Sequence, residues 1–133
     1  MSNYLFVYGT LNPKSAPKEI AAVVKQLTYI GDGFVRGRLY DLGDFPGIKL
    51  RSNSKTKVRG QIYKLPADHN AISSIDAYEE YYPKRLDKSL YLRKLTDVEL
   101  ENGKTVRSWV YEYNGQPASS SLIKSELYEK LAA

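Results

Sequence analysis

The hydrophobic positions in the first part of the chain predict a short strand followed by a helix. Residues 4–8 form a run of aromatic and aliphatic side chains that ends at Gly9, a pattern typical of a buried strand leading into a turn. Four hydrophobic residues then recur at the spacing of one helix face, namely Ile20, Val23, Val24 and Leu27. Pro17 can occupy the first position of this helix. We therefore expect an amphipathic helix with one buried face.

The middle of the chain has the pattern of several strands with glycines inside them. Turns and polar loops separate three such segments, residues 29–42, 48–50 and 58–65. Interior glycines in the first segment indicate bends or β-bulges. Asp68 or Asn70 can cap a short helix that follows the last segment. The inner face of this helix would carry Ile72, Ile75 and either Tyr78 or Glu79.

Two further strands and a final helix are predicted for the last part of the chain. The strands cover residues 91–100 and 106–113. Asn102-Gly103 between them indicates a type I′ hairpin turn, because that turn requires positive φ at both central residues. Residues 119–121 can begin a C-terminal helix whose hydrophobic residues share one face at i+4 spacing: Ile123, Leu127 and Leu131.

The order of these elements favours the α+β fold class. Short strands with interior glycines favour a barrel-like sheet over a doubly wound parallel sheet. The length of 133 residues is close to the usual size of one domain, and no linker or shift in composition divides the chain. We therefore expect residues 1–133 to form a single domain.

The composition narrows the chemistry that is available to this chain. The sequence has no cysteine, which excludes disulfides, thiolate nucleophiles and cysteine-based zinc sites. His69 is its one histidine and has no partner at metal-ligand spacing, so no metal site is expected. The groups that remain are carboxylates, hydroxyls, lysine, arginine and the backbone.

The charge of the chain allows a second class of function. Lysine and arginine outnumber aspartate and glutamate by 20 to 15, and a basic surface with 12 tyrosines would suit an RNA or single-strand binder. Solvated basic residues and tyrosines packed in strands explain the same features, so we expect no nucleic-acid partner. No apolar run approaches the roughly 20 residues of a membrane helix, and no cleavable leader is evident at the N-terminus. A cytoplasmic, unprocessed protein without a membrane partner is the expectation.

Two segments are candidates for a functional site. After the first strand, the segment Tyr8-Gly9-Thr10-Leu11 could turn consecutive backbone N–H groups toward one point and hold a carboxylate or an oxyanion. Residues 76–80 are acidic and end the short helix, where the helix dipole and burial would raise the pKa of a carboxylate and make it a usable base. Asp76 and Glu79 could also form a carboxylate pair. Taken alone, each pattern is more typical of an ordinary strand turn or a solvated helix end.

Six short blocks, in their order along the chain, resemble the γ-glutamylcyclotransferase-like (AIG2-like) family. They span about residues 4–114 and are Phe6-Val7-Tyr8-Gly9-Thr10-Leu11, Gly37-Arg38-Leu39-Tyr40-Asp41-Leu42 with Phe45-Pro46-Gly47-Ile48, Val58-Arg59-Gly60-Gln61-Ile62-Tyr63, Ile75-Asp76-Ala77-Tyr78-Glu79, Leu90-Tyr91-Leu92-Arg93 and Ser108-Trp109-Val110-Tyr111. The resemblance implies a small mixed β-barrel with flanking helices. It also implies a pocket between the loop after the first strand and an acidic residue.

An activity and a set of site residues follow from this resemblance. Members of the family cyclise a γ-glutamyl group by attack of its α-amine on its own γ-carbonyl, and they release 5-oxoproline and a free amine or amino acid. The resemblance implies that the reaction needs no metal or cofactor and that Glu79 is the general acid and base. The residues implied to hold the small-molecule γ-glutamyl substrate are Tyr8, Gly9, Thr10, Leu11, Gly47 and Tyr91.

The sequence departs from the family pattern at two places. The usual Glu-Gly pair is Glu79-Glu80 here, so the turn after the base must form without glycine or through residues 81–83. The catalytic role could also shift to Glu80. Asn12-Pro13-Lys14 follows Leu11 where members often have a glycine, which could change the side of the pocket that holds the leaving amine. A non-catalytic module that binds γ-glutamyl or 5-oxoproline-like molecules is therefore the alternative, and the identity of the leaving amine stays open.

Overall fold

The computed structural model describes residues 3–8, 18–43 and 45–123 of the chain. Their strands are β1 Tyr4–Val7, β2 Thr28–Asp41, β3 Pro46–Leu50, β4 Lys57–Lys64, β5 Tyr91–Leu100, β6 Thr105–Tyr113 and β7 Leu122–Ile123. Their helices are α1 Lys18–Val24 and α2 Asn70–Tyr78, with short 3₁₀ turns at Leu86–Lys88 and Ser119–Ser121.

The strands close into a mixed β-barrel. Neighbouring strands follow the order β1, β4, β2, β3 and β6, and a parallel pairing of β1 with β6 closes the ring. The pair β3–β6 is also parallel, whereas the other pairs of the ring are antiparallel. β5 forms a long antiparallel hairpin with β6 and also pairs with β2. The prediction of a small mixed barrel with flanking helices is confirmed.

Two hydrophobic cores lie on opposite faces of the barrel wall. Successive side chains of a strand point to opposite faces, so Phe6 joins one core while Leu5 and Val7 join the other. The core that contains Phe6 draws its buried residues from all seven strands and therefore fills the barrel. The core that contains Leu5 includes Ile20 and other residues of the helices, so it packs α1 and α2 against the outside of the barrel.

The first helix forms where the hydrophobic spacing predicts it. α1 buries Ile20 and Val24, and Leu27 just after it is also buried. The predicted capping of α2 by Asp68 or Asn70 is wrong, because His69 is the N-cap residue and no side chain makes a capping hydrogen bond. The Asp68 carboxylate instead accepts a hydrogen bond of 2.9 Å from the amide of Asn70, two residues later. Ile75 is buried in the same core, so both helices contribute to the barrel's outer packing.

The β5–β6 hairpin is confirmed, but its predicted type I′ turn is wrong. Of the two turn residues, Gly103 has positive φ (88°) and Asn102 does not. The Asn102 side chain instead accepts a hydrogen bond of 2.9 Å from the Lys104 amide. The Gly103 amide donates to the Leu100 carbonyl at 3.0 Å, and the Leu100 amide donates to the Lys104 carbonyl at 2.8 Å. This pattern matches a three-residue hairpin loop with glycine in the left-handed position.

The segment predicted to begin a C-terminal helix is not helical as far as the structure describes it. Ser119–Ser121 forms a 3₁₀ turn, and Ile123 then pairs with Leu39 of β2 as part of β7. Because Ile123 is buried in the barrel core, strand pairing outweighs the i+4 pattern at this residue. Leu127 and Leu131 lie outside the described residues.

A close approach of two backbones explains one glycine of the barrel and leads to a prediction. A Cβ atom at Gly60 would lie 2.5 Å from the Val7 carbonyl oxygen, whereas a Cβ at Gly31 would meet nothing within 4 Å. We expect Gly60→Ala to lower the free energy of unfolding by about 1–3 kcal/mol or more, as overpacked sites do. The matched variant Gly31→Ala should stay within about 1 kcal/mol of wild type. Urea unfolding of both variants tests this, and equal losses would contradict the close approach.

Candidate active site

An open cavity of about 140 Å³ lies where the ends of several elements meet. These elements are the end of β1, the start of β3, the end of α2, the start of β5 and the later part of β6. The described residues that line the cavity are Phe6, Val7, Tyr8, Phe45, Pro46, Tyr78, Glu79, Glu80, Leu90, Tyr91 and Tyr111. The two carboxylates therefore face a wall that is otherwise aromatic or aliphatic.

Glu79 is the carboxylate of this lining whose pKa the environment raises. It lies at the C-terminal end of α2, where its amide donates a hydrogen bond of 2.9 Å to the Ile75 carbonyl. Burial, and secondarily the charge of Glu80, raise the pKa of the Glu79 carboxyl from 4.5 to about 7. The negative end of the helix dipole acts in the same direction. Glu79 can therefore both accept and donate a proton near neutral pH.

Glu80 ends the helix in the conformation that glycine usually adopts. Its φ is 56°, in the left-handed region. The Glu80 amide donates to the Ala77 carbonyl at 3.2 Å, and the Tyr81 amide donates to the Asp76 carbonyl at 2.9 Å. These two bonds form a Schellman motif. The turn after Glu79 is therefore made by Glu80 itself, without glycine and without needing Pro83.

Two tyrosines of the cavity wall are fixed by hydrogen bonds to the backbone. The Tyr8 hydroxyl donates to the Tyr111 carbonyl at 2.6 Å and accepts from the Ile48 amide at 3.2 Å. The Tyr91 hydroxyl donates to the Pro46 carbonyl at 2.8 Å. Burial, together with the nearby charge of Glu79, raises the pKa of Tyr91, so this hydroxyl stays protonated. The wall facing Glu79 is therefore held in place.

Asp76 joins the helix to the hairpin instead of facing the cavity. The Tyr111 hydroxyl donates a hydrogen bond of 2.7 Å to Asp76 Oδ1, and Arg93 Nε lies 3.1 Å from the same oxygen. The Arg93 guanidinium also lies 4.2 Å from the centroid of the Trp109 ring. Burial raises the pKa of Asp76, although Tyr111 and Arg93 oppose the shift. Asp76 is not among the described lining residues, so it does not pair with Glu79 there.

The structure brings some of the expected site residues together. Glu79, Tyr8 and Tyr91 line the same cavity. Gly47 is buried in β3, where a Cβ at its position would meet the side chains of Leu42 and Tyr113. It is not one of the described residues that line the cavity. The remaining three, Gly9, Thr10 and Leu11, lie outside the described residues, and their role stays a prediction.

Several lining residues were not identified as site residues from the sequence. Phe45 and Pro46 precede Gly47 in the block that carries the resemblance, and Tyr78 precedes Glu79 in another. Tyr111 ends a third block. Each block could be recognised, but which of its residues face the cavity depends on how the barrel closes.

A comparison with family models decides the family of this chain. Residues 5–130 match the model described as "Gamma-glutamyl cyclotransferase, AIG2-like". The chain belongs to this family. A sequence search of curated proteins found no significant match.

Solved structures similar to this chain share its fold. An AIG2-like protein from Mus musculus has a TM-score of 0.68 at 23% identity, over 90% of this chain and 81% of that chain. An uncharacterized protein from Pyrococcus horikoshii has a TM-score of 0.62 at 19% identity, over 98% and 92%. The protein YkqA from Bacillus subtilis has a TM-score of 0.64 at 23% identity over 91% of this chain, which spans 39% of that longer chain.

The described part of this AIG2-like chain has few features of a metal site, a membrane-spanning helix or a nucleic-acid-binding surface. Within residues 3–8, 18–43 and 45–123, no group of three or more His, Asp or Glu side chains could hold a metal ion. None of the described helices is long and apolar enough to span a membrane. Among the basic residues, Arg59 lies 2.6 Å from a carboxylate oxygen of Glu101 and 3.3 Å from one of Asp32. The absence of a nucleic-acid partner stays a prediction.

The raised pKa of Glu79 predicts a pH-dependent effect on stability. The folded protein binds the Glu79 proton more tightly than the unfolded chain does, so this group makes stability fall as the pH rises from about 4.5 to about 7. Glu79→Gln removes the ionisation. We expect this variant to be more stable than wild type by about 2–3 kcal/mol above pH 7, with the difference lost near pH 4. Urea unfolding across the pH range measures the difference.

Asp97→Asn is the control, because it removes an exposed carboxylate of β5 that is not among the described residues lining the cavity. Its stability relative to wild type should change far less with pH. Curves for Glu79→Gln and wild type that run parallel from pH 4 to pH 9 would contradict the raised pKa.

Proposed function

We propose that this protein is an enzyme that cyclises γ-glutamyl groups, releasing 5-oxoproline and the amine that was attached to the γ-carbonyl. Two findings support the proposal: membership of the gamma-glutamyl cyclotransferase, AIG2-like family, and the geometry of Glu79. The observation that carries it is a partly buried carboxylate with a raised pKa, facing a cavity large enough for a small molecule.

The reaction needs a base and an acid in succession. Glu79 takes a proton from the substrate's α-ammonium, and the free α-amine attacks the γ-carbonyl carbon. A bond forms between the α-nitrogen and that carbon, and the bond from the carbon to the leaving nitrogen breaks. Glu79 then gives its proton to the leaving nitrogen. The attacking nitrogen loses a second proton as it becomes the ring amide, and the released amine takes up that proton and leaves as an ammonium, so atoms and charges balance without an oxidant, a metal or a cofactor. A positioned acid–base group of this kind contributes about 10² to 10⁴ to a rate.

A pKa near 7 suits Glu79 to both steps. A carboxylate with an ordinary pKa would be a weak base toward an ammonium group, whereas one raised to about 7 is a stronger base and is still partly ionised at neutral pH. Glu79 is also better suited than Glu80, because Glu80 is exposed and Glu79 is partly buried beside Tyr91. We therefore assign the acid–base role to Glu79.

The proposed substrate lies between Glu79 and the end of β1. There, Tyr8 and the backbone N–H groups of Gly9, Thr10 and Leu11 would hold the substrate's carboxylate or the developing oxyanion. Tyr91 would limit the space opposite Glu79, since its hydroxyl is already bonded to Pro46. The five-membered ring closure depends on this positioning, because both reacting groups belong to one flexible substrate.

The direct test is release of 5-oxoproline from a panel of γ-glutamyl amino acids, γ-glutamylamines and glutathione. We expect wild type to turn over at least one compound and Glu79→Gln to lose about 10² to 10⁴ in kcat. Asp97→Asn is the control, because it removes an exposed carboxylate that is not among the described residues lining the cavity, and it should keep turnover of the same compound close to wild type. Glu80→Gln tests the other carboxylate of the cavity and should keep turnover well above that of Glu79→Gln. Circular dichroism of each variant verifies the fold. Full activity in Glu79→Gln would contradict the assignment.

The pH profile provides a second expected outcome. Because Glu79 must be ionised to accept the first proton, kcat/KM should fall as the pH decreases below about 7, with a slope approaching tenfold per pH unit. An acidic limb with a midpoint near 4.5 would contradict this role of the raised pKa.

A binding module without catalysis is the alternative. One of its two motivations is the replacement of the family glycine by Glu80, but Glu80 makes the expected turn itself. The other is the altered sequence after Leu11, which lies outside the described residues. Binding of 5-oxoproline or a γ-glutamyl compound by wild type, with no turnover across the panel, would favour this alternative over the enzyme.

A further inference from the structure

We propose that Glu80 determines specificity, favouring γ-glutamyl substrates whose leaving amine carries a second positive charge, as a diamine does. The inference rests on the proposed function, because it concerns the group that leaves in that reaction.

The cavity wall has the chemistry of a cation site. Six of its lining residues are aromatic: Phe6, Tyr8, Phe45, Tyr78, Tyr91 and Tyr111. Glu79 and Glu80 supply two carboxylates, and among the residues that the structure describes the lining contains no Lys, Arg or His. Aromatic faces and carboxylates both attract ammonium groups. A leaving group that ends in a carboxylate would meet like charge and no described partner.

The protonation of the leaving nitrogen by Glu79 determines where the leaving group lies. Glu79 must contact the leaving nitrogen to protonate it, so the leaving group begins beside Glu79 and extends toward the open side of the cavity. Glu80 is the next residue, lines the same cavity and is exposed to solvent. A second ammonium a few methylene groups from the leaving nitrogen would therefore lie near Glu80.

The backbone holds Glu80 at this place. Its amide donates to the Ala77 carbonyl at 3.2 Å, and its carbonyl accepts a hydrogen bond of 2.9 Å from the Leu90 amide. Leu90 itself lines the cavity. The backbone of Glu80 therefore has a fixed place in the turn between α2 and β5, directly after Glu79 and at the edge of the cavity.

With a diamine as the leaving group, the same bonds form and break and the same protons move. The bond from the γ-carbonyl carbon to one diamine nitrogen breaks, and that nitrogen takes the proton from Glu79. The second nitrogen remains an ammonium throughout and takes no part in the chemistry. Its attraction to Glu80 therefore acts on binding and on the discrimination between substrates.

A matched series of three conjugates isolates this charge. The γ-glutamyl conjugates of 1,4-diaminobutane, 1-aminopentane and 4-aminobutanoate have similar length and carry a distal ammonium, methyl or carboxylate. For wild type we expect kcat/KM to decrease in that order, by about three- to tenfold at each step. The preference should shrink at high salt, since the Debye length falls to about 3 Å at 1 M.

Variants at Glu80 should change the ratios between substrates. Glu80→Gln should bring the cationic and neutral conjugates within about twofold of each other, and Glu80→Lys should favour the anionic conjugate. Asp97→Asn is the control, because it removes one exposed negative charge from β5, away from the cavity lining, and should leave all ratios unchanged. If Glu80→Gln slows all three conjugates equally, Glu80 binds the shared γ-glutamyl part and the proposal is overturned.

A binding measurement separates this proposal from the proposed function. Calorimetric titration of the three conjugates into Glu79→Gln, and into the same variant with Glu80→Gln added, gives affinities without turnover. Affinities that follow the charge order and become equal in the double variant support the role of Glu80, even if wild type turns over none of the conjugates. Turnover of all three at equal kcat/KM would support the enzyme and overturn the role of Glu80.

Discussion

Ionising a carboxylate in an aromatic, partly buried cavity costs free energy, and the proposed chemistry depends on that cost. At Glu79 burial and the neighbouring Glu80 raise the pKa to about 7. The surrounding contacts keep the group in this environment. The Schellman end of α2 fixes the backbone of Glu79 and Glu80, and Asp76 one turn earlier ties the helix to Tyr111 and Arg93 of the hairpin. Loss of these contacts would expose Glu79 and return its pKa toward an ordinary value.

The barrel brings together the three tyrosines of the cavity wall that Glu79 faces, Tyr8, Tyr91 and Tyr111. Tyr91 and Tyr111 belong to neighbouring strands of one hairpin, whereas Tyr8 follows a strand more than eighty residues earlier in the chain. The parallel pairing of β1 with β6 brings Tyr8 beside Tyr111, where its hydroxyl bonds to the Tyr111 carbonyl at 2.6 Å. Closure of the sheet therefore gives Glu79 a rigid wall to face.

Local patterns in the sequence were sufficient to predict much of this arrangement, including the strands, the short helix and the acidic end that carries Glu79. What they could not predict depended on contacts between distant segments. Ile123 has helical spacing but pairs with β2, and Gly47 faces Leu42 and Tyr113 while its neighbours Phe45 and Pro46 line the cavity. Glu80 stands where the family usually has the glycine of a turn. Its positive φ shows that a non-glycine residue can make the same turn and add a charge at the cavity.

The central claim is that Glu79 titrates near neutral pH, and NMR can measure this directly. With carboxyl carbons of glutamate labelled with ¹³C, the Glu79 resonance is the one missing from the spectrum of Glu79→Gln. Its chemical shift is then followed from about pH 3 to pH 9. The account predicts a midpoint near 7, well above that of an ordinary glutamate. A midpoint near 4.5 would contradict it and would remove the physical basis for assigning the acid–base role to this residue.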